Sequence, residues 1–232
     1  MNLPKISKRL EVAASFSRRG VRIADVGTDH AYLPIYLYAA GRISGGVASD
    51  INQGPVERAR VHICHSEAKG AVEVLRTDGL CGIQDYAPDD IFILGMGGEL
   101  IASIIDKAQW VKDGKYRLIL QPMTHSEILR DYLYSNGFSI IDEALVKEEK
   151  IYHIICAEYS GEIYRPACEE LLFGKKNIER GGELLLELLD RTREIYSRRV
   201  EGKRLAAVDF SEEAKIIDIV DRLKRGAQNE RT

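Results

Sequence analysis

Short apolar runs alternate with longer segments whose apolar residues recur every three or four positions, and this rhythm fills about the first two-thirds of the chain. The runs at 21–26, 45–49, 72–75, 91–94 and 117–120 are too short for helices and are bounded by turn-forming residues. Each predicts a buried strand. Segments 31–40, 55–69 and 100–105 carry helical spacing, and a further helix is predicted to close at about Ser135, ahead of Asn136-Gly137. Pro55 suits a first helical turn, where its missing N–H is no loss. Upstream, Ile6, Leu10, Ala13 and Ala14 share one face of an amphipathic entry helix over 6–16. Strand–helix alternation of this kind builds a parallel sheet with helices on both faces.

Two long extended runs follow, 138–147 and 151–159, rich in Ile, Val and Tyr and separated only by charged residues around Glu148-Glu149. So short a link permits only antiparallel pairing. Five strand–helix units closed by such a hairpin form the α/β pattern of class I methyltransferases, a Rossmann-like seven-stranded sheet. A nicotinamide-binding Rossmann domain would close with parallel strands only. Beyond Pro166 the strand signal stops. Leu184, Leu185, Leu188, Leu189, Ile195 and Tyr196 form one helical stripe, and Ile216, Ile217, Ile219, Val220 and Leu223 form a second. Gly202, with Asp209 and Ser211 as cap candidates, is expected to divide them. The expected organisation is a methyltransferase domain over 1–163 and a C-terminal helical hairpin, coiled-coil-like, over 164–232.

Composition narrows the setting. A net charge of −3 over 232 residues gives no global pull toward a polyanion, so RNA would need a local basic patch. Lys5, Lys8, Arg9, Arg18, Arg19 and Arg22 offer one, although such runs also form plain solvated faces. The four cysteines lack any CxxC spacing, which excludes a sequence-evident disulfide framework or zinc site and points to a reducing cytosol. His62 and Cys64 are neighbours in sequence but point different ways on a helix, so no metal is expected. No run of about 18 apolar residues and no signal-like apolar segment occurs, and a cytoplasmic protein without membrane contact is expected.

The candidate chemistry sits at the carboxyl ends of the predicted strands, where open α/β sheets bind ligands. Asp25 and Asp29 flank Gly27, and Gly27 lets a ligand approach the backbone without a Cβ in the way. Two carboxylates there would repel a diphosphate, and the G-x-G-x-x-G of dinucleotide sites is absent. They suit the ammonium and sulfonium of S-adenosylmethionine. Asp50, closing the second strand, is placed to accept from ribose hydroxyls, and Asp78 beside Gly79 to meet the adenine amine. Asp and Gly also end strands simply because they favour turns. Gly95-Met96-Gly97-Gly98 permits close approach of a flat base or of the donor itself, or else makes a tight turn. His30 reads either as a proton acceptor or as a structural histidine. Gln121-Pro122 either lines an acceptor pocket or caps a turn.

With Asp25-Val26-Gly27-Thr28-Asp29-His30-Ala31-Tyr32-Leu33-Pro34, Ala48-Ser49-Asp50-Ile51-Asn52, Gly95-Met96-Gly97-Gly98 and Leu120-Gln121-Pro122 in place, the chain resembles the bacterial tRNA (adenine-22-N1)-methyltransferases, the TrmK family. The resemblance covers nearly the whole chain. It implies methyl transfer from S-adenosylmethionine to N1 of an adenine in the D-stem region of tRNA. On the resemblance, Asp25, Gly27, Asp29, His30 and Asp50 carry over as cofactor-site positions and Gly95 to Gly98 as the loop between donor and target base. Together with the residues read above, the expected cofactor site covers Asp25, Gly27, Thr28, Asp29, His30, Asp50, Ile51, Asp78, Gly79, Gly95, Met96 and Gly97, with Asp29 and His30 as catalytic candidates. Gly97, Gly98, Gln121 and Pro122 are expected to face the target base, with Lys5, Lys8, Arg9 and the helical hairpin gripping the RNA. A neutral adenine has an in-plane lone pair on N1, so positioning and a carboxylate for the cationic product, assigned to Asp29, matter more than a strong base. Two other readings stand beside this one: a methyltransferase for a small molecule or protein, and a non-catalytic module that binds the donor or RNA. The oligomeric state is open.

Overall fold

The structure, a computed structural model, describes residues 4–229. Strands β1 (Val21–Val26), β2 (Ile43–Asp50), β3 (Val72–Arg76), β4 (Asp90–Met96), β5 (Arg117–Pro122), β6 (Phe138–Lys147) and β7 (Ile151–Tyr159) form one seven-stranded sheet in the order β3-β2-β1-β4-β5-β7-β6. The first five pair in parallel, and β7 runs antiparallel to both β5 and β6. The expected class I methyltransferase fold holds, including both bounds of the terminal hairpin. Strand order reverses between β1 and β4, which opens a crevice at their carboxyl ends.

Helices α1 (Lys8–Ser15), α2 (Tyr32–Ala39), α3 (Gln53–Cys64), α4 (Gly98–Lys107) and α5 (Ser126–Ser135) cover the sheet. One face buries Ile101, Ile105, Leu129 and Leu133 of α4 and α5 against Ile91, Ile93 and Leu118. The other buries Ala13, Ala14, Leu33 and Leu37 of α1 and α2 against Ile23, Phe92 and Ile119. Near-continuous apolar strands follow from this burial on both faces. Helix α3 starts two residues before Pro55 and stops at Cys64, short of the expected 55–69. Its end is set by Ser66, whose hydroxyl donates to Ile63 O at 3.0 Å and accepts from Ala68 N–H at 3.2 Å. A side chain that satisfies backbone groups locally ends the helix sooner than apolar spacing suggests.

The C-terminal region is more elaborate than a hairpin. Two short helices, α6 (Cys168–Phe173) and α7 (Lys175–Arg180), precede the long α8 (Glu183–Leu205) and α9 (Ser211–Asn229). Gly202 does not divide the stripes; it lies inside α8, and the break falls at 206–210. Asp209 ends that break by accepting from Ser211 N–H and hydroxyl at 3.0 and 2.9 Å. Ion pairs Lys203–Glu213 and Arg193–Asp221 at 2.7 and 2.8 Å, with Lys224–Asp190, run in antiparallel register along α8 and α9. Leu185, Leu189 and Val220 bury against Phe173.

A buried ion pair ties these helices to the sheet. Arg130 on α5 and Glu143 on β6 lie 2.7 Å apart with both side chains fully buried. Arg130 also donates to Leu171 O at 2.8 Å and to His153 Nδ1 at 2.9 Å, and Glu143 accepts from Lys176 N–H at 3.2 Å. Burial and the adjacent guanidinium hold the His153 pKa well below its usual value, so it accepts as the neutral ring. Gly174 passes directly over the carboxylate with φ +86°, and a Cβ there would sit 2.4 Å from a Glu143 oxygen. Removing one partner of such a pair strands a buried charge, at about 3–5 kcal/mol. Glu143→Ala is therefore expected to lower unfolding stability in urea by about 3–5 kcal/mol, and Gly174→Ala to lower it in the same direction. A loss below about 1 kcal/mol for Glu143→Ala would show that the pair is dispensable.

Candidate active site

The turn after β1 is built by its own sequence. Gly27, at φ +82°, and Thr28 both donate their N–H groups to Ser49 O of β2, at 2.8 and 2.9 Å. This folds the chain back over the sheet end. The positive φ is what favours glycine here; a Cβ would also meet Met96 Cε, the movable end of that side chain. Thr28 Oγ1 then accepts from Ala31 N–H at 3.0 Å and pins Ala31, a fully buried non-glycine, at φ +55°. Strain of that kind persists only where neighbours over-determine it.

The result is a cavity of about 280 Å³ at the β1/β4 crevice, lined by Arg9, Leu10, Asp25, Gly27 to Leu33, Leu94, Gly95 and Gln121. On the β4 side, the ladder to β5 skips at Gly95, which bulges at φ +78° and donates its N–H to Gln121 Oε1 at 3.1 Å. Asp25 is buried, and burial pushes its carboxyl up to about 6 despite the Thr28 hydroxyl hydrogen bond that lowers it. Asp29 differs. It lies exposed at the rim, 3.1 Å from Arg58 Nε and 3.2 Å from His30 Nε2, and the Arg58 hydrogen bond holds its carboxyl below the usual range. Two acids that look equivalent in sequence thus occupy opposite electrostatic settings.

His30, Tyr32 and His62 form a cluster of near-parallel rings, with centroids 5.0–5.3 Å apart and interplanar angles of 12–20°. His62 Nδ1 meets His30 O at 3.0 Å. Tyr32, 45% exposed, presents this aromatic surface at the cavity rim. Tyr32, His62 and Arg58 were not singled out for this site by sequence reasoning. Tyr32 lies inside the quoted motif, but His62 and Arg58 belong to α3 and join the rim only through packing.

Of the residues expected here, Asp25, Gly27, Thr28, Asp29, His30, Gly95, Gln121 and Arg9 converge on the cavity. Asp50 ends β2 and Asp78 follows the end of β3, strands one and two places outward from β1 and about 5 and 10 Å away across the sheet. Asp50 accepts from Asn52 N–H at 2.7 Å, and Ile51 is exposed beyond the strand end. Asp78 and Gly79 line a separate cavity of about 460 Å³ with Ile104, Lys107 and Trp110. Met96 packs over Gly27, and Gly97 precedes α4 as its N-terminal cap. Gly98 serves packing: its N–H donates to Thr124 O at 2.8 Å, and a Cβ would lie 2.1 Å from His125 O. Pro122 is buried at the end of β5, while Lys5 and Lys8 are exposed outside the cavity. Among the described residues no group of three or more His, Cys, Asp or Glu side chains could hold a metal ion, and no helix is long and apolar enough to cross a membrane.

Comparisons with known proteins agree with this fold. A methyltransferase-domain family model matches residues 6–155. The tRNA (adenine(22)-N(1))-methyltransferase of Bacillus subtilis is 40% identical over 159 residues, which span 68% of this chain and 67% of that protein. The crystal structure of the B. subtilis M1A22 tRNA methyltransferase TrmK has a TM-score of 0.76 at 31% identity and covers 96% of this chain and 97% of its own. Streptococcus pneumoniae Sp1610 in complex with S-adenosyl-L-methionine has a TM-score of 0.84 at 30% identity, covering 93% of this chain and 99% of that chain.

The setting of Asp25 has a measurable cost. Its carboxyl binds a proton more tightly folded, at about 6, than unfolded, at 3.8, so stability falls as pH rises between those values and stays lower above them. Asp25→Asn removes that ionisation. It should raise the stability of the ligand-free protein at pH 7 by roughly 2–3 kcal/mol, with the gain fading below about pH 4. Denaturant unfolding across this range checks the sign; a destabilised Asn variant at pH 7 would refute it.

Proposed function

Because the chain belongs to the tRNA (adenine(22)-N(1))-methyltransferase family, we propose that it methylates N1 of adenine 22 in tRNA with S-adenosylmethionine as donor. The observation that carries this reading is Asp25, a buried carboxylate with raised proton affinity beside the Gly27 turn. A group so poorly solvated gains most from a cationic ligand, and the donor brings an ammonium and a sulfonium. A diphosphate would meet repulsion at the same place. When bound, the donor would supply an electrophilic methyl group open to in-line attack by the adenine N1 lone pair, the N–C bond forming as the C–S bond breaks and S-adenosylhomocysteine leaves.

The protein's part is orientation and charge. Gly27 and Gly95 admit the donor against the backbone at the ends of β1 and β4. Asp50, one strand outward, is our candidate for the ribose hydroxyls, and Asp78 with Gly79 for the adenine edge. The exposed ring of Tyr32, backed by His30 and His62, offers a stacking surface for the target base once it leaves its pair. Asp29, kept ionised by Arg58, is the rim carboxylate assigned to the cationic product. Lys5 and Lys8, exposed at the chain start, are assigned to tRNA phosphates, and the reaction to the cytoplasm, where tRNA resides.

Incubation of the protein with S-adenosylmethionine and unmodified tRNA, followed by nucleoside mass analysis and primer extension, should reveal 1-methyladenosine at position 22. Methylation at another position, or none, would overturn the reading. Base–aromatic stacking contributes about 1–3 kcal/mol per base, so Tyr32→Ala should cut kcat/KM for tRNA roughly 10- to 100-fold while Tyr32→Phe stays close to wild type. Asp29→Ala should lower kcat with little change in donor affinity, as calorimetry would register.

A further inference from the structure

Arg9 stands apart from the other N-terminal cations. Lys5 and Lys8 are exposed, whereas the Arg9 side chain is only 24% exposed and lines the same cavity as Asp25, Gly27 and Gly95. Its guanidinium lies 4.8 Å over the Tyr152 ring, and Nη1 donates to Gln121 Oε1 and to the Met123 sulfur, both at 3.1 Å. Its backbone N–H is satisfied by Glu148 at 2.9 Å. Nε remains buried and without a hydrogen-bond partner, since the Glu148 carboxylate stands 3.8 Å away. A buried guanidinium N–H without a partner is costly, so Nε does not settle the cation, although the side chain lines the cavity.

Gln121 explains why the cation points inward. It is fully buried, and its amide donates to Pro122 O at 3.0 Å, which turns Oε1 toward the cavity. That one oxygen accepts from both Arg9 Nη1 and Gly95 N–H at 3.1 Å. Arg9 is therefore clamped by a strand residue and a ring, not free to follow an RNA backbone. The cavity carries a cation from α1 and the Asp25 carboxylate from β1. That pairing of charges matches a zwitterionic amino-acid head group, ammonium to acid and carboxylate to guanidinium.

We infer that Arg9 binds the α-carboxylate of the methyl donor, with Gln121 as its positioning residue, and is not a contact for tRNA phosphate. The inference rests on the donor being S-adenosylmethionine, as proposed above. A charge-assisted hydrogen bond to a carboxylate discriminates strongly against a ligand that lacks it.

Decarboxylated S-adenosylmethionine keeps the amine, sulfonium and nucleoside and loses only the carboxylate, so it isolates the contact. Calorimetric titration of the wild type is expected to give about 10- to 100-fold weaker binding of the decarboxylated compound. Arg9→Met should weaken S-adenosylmethionine by about that factor and leave the decarboxylated compound nearly unchanged, which also reports an intact fold. Arg9→Lys should keep part of the preference, because it retains charge without the planar guanidinium. An Arg9→Met protein that keeps the full preference overturns the inference, as does a wild type with none. Binding of neither compound to the wild type would overturn it together with the donor assignment. Titration of tRNA without donor separates the roles further. Arg9→Met should leave that affinity and its salt dependence unchanged, and a shallower salt slope would assign Arg9 to phosphate instead.

Discussion

A carboxylate at the end of β1 that water cannot fully reach sets the terms for the whole site. Asp25 is buried because β1 is central in a sheet covered on both faces, and the strand cannot end without placing that side chain in the crevice beside β4. The turn that follows does not relieve it. Gly27 and Thr28 spend their N–H groups on Ser49, and Ala31 is locked in a left-handed conformation by Thr28. The backbone is thus committed to a shape in which an acid awaits a positive partner. The opposite wall is equally committed, since Gln121 fixes both the Gly95 bulge and Arg9.

Much of this was legible in the residues. Strands were visible because fully buried parallel strands read as unbroken apolar runs, and the β6–β7 hairpin because its link is too short for a crossover. What escaped depends on contacts remote in sequence. The end of α3 is decided by the Ser66 hydroxyl, not by apolar spacing, and α8 runs through Gly202 because an exposed glycine inside a long, packed helix costs only about 1 kcal/mol. The short helices α6 and α7 exist because Arg130 and Glu143 hold them down, and no local pattern announces a buried ion pair between α5 and β6.

The candidate site divides along the same line. The motif after β1 named most of the cavity wall, since those residues are contiguous and their turn chemistry is local. It could not rank Asp25 against Asp29, because that distinction is burial on one side and an arginine from α3 on the other. Nor could it reveal the ring cluster, in which His62 arrives 30 positions after Tyr32. Gly98 shows the converse: a glycine in a suggestive string is required by the close passage of His125 O.

The Glu143 carboxylate lies beneath Gly174, and Arg180 reaches back to the Glu143 carbonyl and to Asp142 at 2.6 Å. The long α8–α9 pair therefore does not hang from a loose tether; it stands on a braced footing at the sheet edge. Helix α8, at 23 residues, extends about 35 Å. Swinging so long a rod away from the sheet edge would first have to break the buried Arg130–Glu143 network and the Arg180 contacts beneath it.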